Sequence, residues 1–227
     1  RRSGDAPPRR SARRRRAQTL SDFKLNAVSQ NAIGILGGTF DPLHLGHVAL
    51  AAAALAQLPL SEVLWLPSGS PGHRGPPIAG ARDRLAMLRL ATAGNPRFRI
   101  DAAELDSAAP TYSVHTLTRL RAQLGQERPL VLLLGSDSFL SLPTWLRWRE
   151  LFDLAHIAHV SRPGHLAGGV GTPAELAAEI AHRSARGDEL AASAAGKIAR
   201  FDMPPMAISA SAVRARLADG EDMRDLL

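Results

Sequence analysis

GGTFDPLHLGH, residues 37–47, joins a short apolar run, Ile33-Gly34-Ile35-Leu36, to a longer one rich in Ala and Leu at residues 43–58. The first run reads as a buried strand entering a tight turn at Gly37-Gly38, the second as a helix packed on a sheet. In open α/β sheets ligands bind where strand carboxyl ends meet helix N-termini, and this stretch falls there. Two glycines let a phosphate approach the backbone, and the helix N–H groups and dipole favour an anion. The stretch is neither a dinucleotide GxGxxG nor a Walker lysine loop. It supplies instead His44 and His47, three apart and so on one face of the first helical turn, with Gly46 keeping that face open. The pair reads as half a metal site, as two satisfied structural histidines, or as a phosphate contact. No third carboxylate or histidine stands at matching spacing, and glycine turn, helix start and both imidazoles coincide, so phosphate contact is favoured.

Outward from this stretch, strands and helices alternate. EVLWL at residues 62–66 reads as a strand stopped by Pro67, and the Pro- and Gly-rich residues 67–80 read only as loop, long enough to suggest function. Helical spacing returns over residues 82–93, strand-like alternation over 97–105, and helix over 114–124. LVLLL at 130–134, ending in Gly135, is the mark of a central parallel strand. Further strands are expected at 156–160 and 198–202 and a last helix at 209–217, whereas the Ala- and Gly-rich residues 166–197 carry little signal. The alternation predicts an α/β fold, a doubly wound parallel sheet in a single domain over residues 31–227.

Composition bounds the function. With 45% hydrophobic and 22% charged residues the 227-residue chain is globular, and its longest apolar stretch, residues 48–56, is too short to span a bilayer. The absence of cysteine excludes disulfides, thiolate metal sites and cysteine nucleophiles, and fits a cytoplasmic protein. Residues 1–16 hold eight of the 28 basic residues and one of the 21 acidic ones, so the rest is neutral and the net charge of +7 belongs to the tail. Residues 1–30 are expected to be a disordered, Arg-rich extension, read as a solvated arm or as one that binds a polyanion. They lack the apolar core of a secretory signal, and the arginines show no apolar helical face of an organellar presequence.

GGTFDPLHLGH resembles the signature of the H-x-G-H nucleotidyltransferase superfamily. ISASAVR, residues 208–214, resembles its second element, I-S-x-[ST]-x-x-R. Physically, Ser209 and Ser211 can cap a helix whose N-terminus faces phosphate, and Arg214 adds a planar cation. GSDSFLSLPTW at 135–145, Thr111-Tyr112-Ser113, SRPG at 161–164 and His73-Arg74 are similar to bacterial nicotinate-nucleotide adenylyltransferases. Phosphopantetheine adenylyltransferases and cytidylyltransferases share the two phosphate motifs but not the PTW segment.

The resemblance implies a Rossmann-like fold and transfer of AMP from Mg2+-bound ATP to nicotinic acid mononucleotide, giving deamido-NAD and pyrophosphate. It implies that His44, His47 and Arg214 are catalytic, and that Gly37, Gly38, Thr39, Phe40, Gly135, Asp137, Ser209 and Ser211 bind ATP. His73, Arg74, Ser113, Trp145 and Arg162 would bind the mononucleotide, with no protein-held metal. Asp137 reads equally as an N-cap of a helix starting near Ser138, and Trp145 also reads as core. Arg74 stands where many relatives carry lysine, keeping the charge but changing the geometry. Relatives continue past the final helix, so the stop at Asp225-Leu226-Leu227 reads as truncation. The remaining histidines, 115, 156, 159, 165 and 182, read as structural or surface groups. Competing readings are another acceptor, such as the amidated mononucleotide, and a nucleic-acid-binding protein led by its arm; a membrane partner is not expected. An inactive nucleotide sensor is disfavoured because His44, His47, Ser209 and Arg214 are all present.

Overall fold

Six apolar or half-apolar runs pair side by side in a parallel sheet in the computed structural model, which describes residues 31–71, 75–105, 107, 109–161, 171–224 and 226. The expected extension at 1–30 lies outside the described residues. In chain order the elements are β1 Ala32–Gly38, α1 Leu45–Gln57, β2 Leu60–Pro67, β3 Ser70–Pro71, α2 Ala81–Thr92 and β4 Phe98–Ile100. They continue with β5 Pro110–Thr111, α3 Ser113–Leu124, β6 Leu130–Leu134, α4 Ser136–Leu140 and α5 Leu151–Leu154. The last are β7 His156–Ser161, α6 Ala174–Arg183, β8 Ile198–Asp202 and α7 Ala210–Ala218.

The large sheet runs β4-β2-β1-β6-β7-β8. The strand order reverses between β1 and β6, where Gly34 pairs with Val131, and the carboxyl ends diverge there into a crevice. All five β6 residues are buried, as a strand covered on both faces requires. One face packs Leu50, Ala51 and Ala54 of α1 and Leu88 of α2 over Trp65, Leu133 and Ala158. The other packs Val114, Leu117 and Leu120 of α3, Phe152 of α5 and Ile180 of α6 over Ile35, Leu132 and Ile157. α1 is Ala-rich and stops at Leu58, just before Pro59, whose ring disfavours helical backbone in the preceding residue.

Two expectations need correction, and one segment left without a reading is filled. The 67–80 segment is not only loop: Ser70-Pro71 forms β3, paired in parallel with β5. The 97–105 alternation yields only the three residues of β4, because the Asp101 carboxylate accepts from the Ala103 N–H at 3.0 Å and turns the chain. Within 166–197 lies α6, which buries Leu176 and Ile180, one helical turn apart, against the second core.

Candidate functional site

β1 delivers Gly37 and Gly38 to the floor of a cleft of about 1070 Å3 at the strand-order reversal. The chain then turns through Phe40, at φ 51°, and a cis Asp41–Pro42 peptide into α1. A non-glycine residue at positive φ is sparsely populated, and such backbone concentrates at binding sites. Phe40 is 2% exposed and edge-on to His47 at 5.2 Å.

His44 is the N-cap of α1, in extended backbone, and His47 is its third helical residue. Their rings stack at 3.8 Å. The His44 N–H donates to His47 Nδ1 at 3.3 Å, so the neutral ring carries its proton on Nε2. Burial, then the neighbouring His44, push the His47 pKa down to about 3. Burial also lowers His44. Both rings are therefore neutral near pH 7 and act as hydrogen-bond groups, not cations. A Cβ at position 46 would stand 3.0 Å from His44 Nδ1 and press on that ring.

The second motif arrives from the far end of the chain. Ser209 caps α7, its Oγ accepting from the Ala212 N–H at 3.2 Å. Arg214 donates to the Asp41 carbonyl and, at 3.4 Å, to Ser211 Oγ. Ser211 thus supports Arg214 from outside the cleft, whereas Ser209 and Arg214 line it.

Gly37, Gly38, Thr39, Phe40, His44, His47, Gly135, Asp137, Ser113 and Trp145 also line the cleft. Asp137 is not an N-cap: α4 begins at Ser136, so Gly135 caps it and Asp137 is its second residue. Trp145 joins both of its readings, packing its half-buried ring against the second core while lining the cleft. His73, Arg74, Arg162 and His165 lie outside the described residues. His156 and His159 are buried, the latter stacked on Phe139 at 3.9 Å.

Sequence reading missed three groups. The Asp41 carboxylate accepts from the Ile78 and Ala79 N–H groups at 2.7 and 3.0 Å, fastening the 75–80 segment over the cleft. Glu104 lines the cleft, accepts from Thr116 Oγ1 at 2.6 Å, and has its carboxyl pushed up by burial. Buried Arg84 donates to the carbonyls of Thr39 and Ser68, each at 2.7 Å. Asp41 sat inside the quoted motif and could have been flagged; nothing near Glu104 or Arg84 in sequence announces their partners. Among the described residues no three His, Cys, Asp or Glu side chains gather where they could hold a metal.

The chain matches the cytidylyltransferase-like family over residues 35–216. It is 48% identical over 198 residues to the probable nicotinate-nucleotide adenylyltransferase of Dechloromonas aromatica (strain RCB), covering 86% of this chain and 90% of that protein. It is also 48% identical over 198 residues to the protein of the same description from Laribacter hongkongensis (strain HLHK9), covering 87% and 89%. Its fold is similar to that of Plasmodium falciparum nicotinic acid mononucleotide adenylyltransferase complexed with NaAD, with TM-score 0.57, 19% identity, and 86% and 88% of the two chains covered.

Proposed function

The chain belongs to the cytidylyltransferase-like family, among its nicotinate-nucleotide adenylyltransferases, and from that premise we propose that it moves AMP from ATP to nicotinic acid mononucleotide. A 5′-phosphate oxygen of the mononucleotide attacks the α-phosphorus of ATP in line, the α–β bridging bond breaks, and pyrophosphate leaves with that bond's electrons. The product is deamido-NAD, with no covalent enzyme intermediate. The nucleophile's second pKa is about 6, so it is ionised near neutrality and needs no general base. Catalysis is positioning and stabilisation of charge on the α-phosphate and the leaving group.

The observation that carries this reading is the stacked, neutral His44–His47 pair in the same cleft as Ser209 and Arg214. His47 Nε2–H and His44 donate to α-phosphate oxygens. Ser209 and Arg214 meet the β- and γ-phosphates, and Gly37 to Phe40 contribute backbone. Gly135 and Asp137 face the adenosine; Trp145 stacks on the nicotinate ring, with Ser113 near its carboxylate. His73, Arg74 and Arg162 are proposed at the mononucleotide phosphate from sequence alone, and Ser211 acts through Arg214. A magnesium ion would enter with ATP as Mg-ATP and offset phosphate charge there. The compartment proposed is the cytoplasm; no helix among the described residues is long and apolar enough to cross a membrane.

Incubation with Mg-ATP and nicotinic acid mononucleotide, followed by mass spectrometry, tests the reading. Stoichiometric deamido-NAD and pyrophosphate are expected; absence of both rejects it.

A further inference from the structure

Arg84, in the first turn of α2, is 2% exposed and does not line the cleft, yet its guanidinium ends on backbone that does. Nη1 donates to the carbonyls of Thr39 and Ser68 at 2.7 Å each, and Nη2 to Gly69 at 3.4 Å. Beside it the Ser68 N–H donates to the Gly38 carbonyl at 2.9 Å. Two consecutive carbonyls, those of Gly38 and Thr39, are therefore held toward the end of β2 and the start of α2.

A trans peptide is planar, with its C=O and N–H pointing in opposite directions. Turning the Gly38 and Thr39 carbonyls toward Ser68 and Arg84 turns the N–H groups of Thr39 and Phe40 the other way. Within the described residues no hydrogen bond takes up either N–H. Phe40 itself stands at φ 51°, the left-handed backbone from which anion-binding concavities of successive N–H groups are built. A buried guanidinium is costly unless it is compensated. Compensation here comes from the strand-end carbonyls and the charge of Asp41, which opposes the lowering of its pKa by burial.

We propose that Arg84 is a positioning residue for the nucleotide triphosphate: it holds the Thr39 carbonyl inward so that the Phe40 N–H, beside the Thr39 N–H that the Ser68–Gly38 hydrogen bond sets, faces the cleft as a donor to a phosphate oxygen. This rests on ATP being the nucleotide of the proposed function and deepens that reading. Lysine keeps the charge but lacks the planar two-nitrogen fork, in which Nη1 spans Thr39 and Ser68 while Nη2 reaches Gly69.

The test uses Mg-ATP alone, by calorimetry and by amide spectra of the 15N-labelled full chain. In the wild type the Phe40 and Thr39 amide protons should move downfield on saturation with Mg-ATP. Arg84→Lys should weaken Mg-ATP binding roughly tenfold, the scale of one charge-assisted hydrogen bond, and shrink the Phe40 shift. In turnover, the KM for nicotinic acid mononucleotide should stay within about twofold, since a positioning role touches one substrate. Arg84→Lys with unchanged ATP affinity and a full Phe40 shift overturns the proposal, as do equal losses toward both substrates. If the variant does not fold, the wild-type titration decides: no amide shift at Thr39 or Phe40 overturns it. A chain that binds ATP as stated but adenylylates no nicotinic acid mononucleotide supports this inference while rejecting the functional reading.

Discussion

The Arg214 guanidinium donates to the backbone carbonyl of Asp41, joining α7 to the turn before α1 across 173 positions of sequence. The same Asp41 holds the 75–80 segment through its carboxylate. One residue thus ties together the two sequence motifs and a cleft wall. Arg214→Lys preserves the charge but cannot hold the Asp41 carbonyl, Ser211 and a phosphate with one fork. Steady-state kinetics should show kcat/KM for ATP falling about 10- to 100-fold, the scale of a hydrogen bond to a charged group.

His44 and His47 are oriented donors fixed by stacking and by the His44 N–H. Removing either by His44→Ala or His47→Ala should lower kcat roughly 100- to 1,000-fold. Turnover is the measurement, and wild-type kcat in either variant would remove the mechanistic assignment. Because His47 is already neutral near pH 7, with its pKa at about 3, its titration should not shape kcat between pH 6.5 and 8.

Trp145 presents a half-buried ring to the cleft. Trp145→Ala should raise the KM for the mononucleotide about tenfold, the scale of an aromatic stacking contact, and leave the KM for ATP nearly unchanged. Equal rises in both constants would assign the ring to the core alone.

Burial lowers the pKa values of His44, His47, His156 and His159 below 6.5. Between the folded and unfolded pKa values the unfolded chain binds protons that the folded chain does not, so stability is full above about pH 6.5 and falls as pH drops, by about 1.4 kcal/mol per pH unit per group. Glu62 and Glu104, pushed up by burial, work in the opposite sense as they take up protons. His156 isolates one contribution. It is fully buried, accepts from the Lys197 N–H at 3.0 Å and meets the Ser193 carbonyl at 2.8 Å. Urea midpoints should fall from pH 7 to pH 5 in the wild type, and His156→Asn, which keeps a donor and an acceptor without titrating, should flatten that fall.

Gly69 approaches the Glu104 carbonyl so closely that a Cβ would stand 2.3 Å from it. Gly69→Ala forces that backbone apart and should cost about 1–3 kcal/mol in denaturant unfolding.

The sheet was legible because its inner strands are buried on both faces: LVLLL and EVLWL need no partner to be recognised. The histidine pair, Ser209 and Arg214 were legible as cleft residues because two short motifs, read through their family resemblance, carry them. α6 was passed over because its segment carries no motif chemistry, although alanine favours helix and Leu176 and Ile180 recur at helical spacing. The FRIDAAEL alternation misled because a single Asp101 hydrogen bond to Ala103 outweighs the pattern. Arg84 could not be read at all, since its partners Thr39 and Ser68 meet it only after β1 and β2 are paired.

Pyrophosphate release from Mg-ATP, compared between nicotinic acid mononucleotide and nicotinamide mononucleotide, tests the central claim most directly. A strong preference for the acid, with deamido-NAD as product, is the predicted result. Release with neither acceptor from a folded, ATP-binding chain would contradict it.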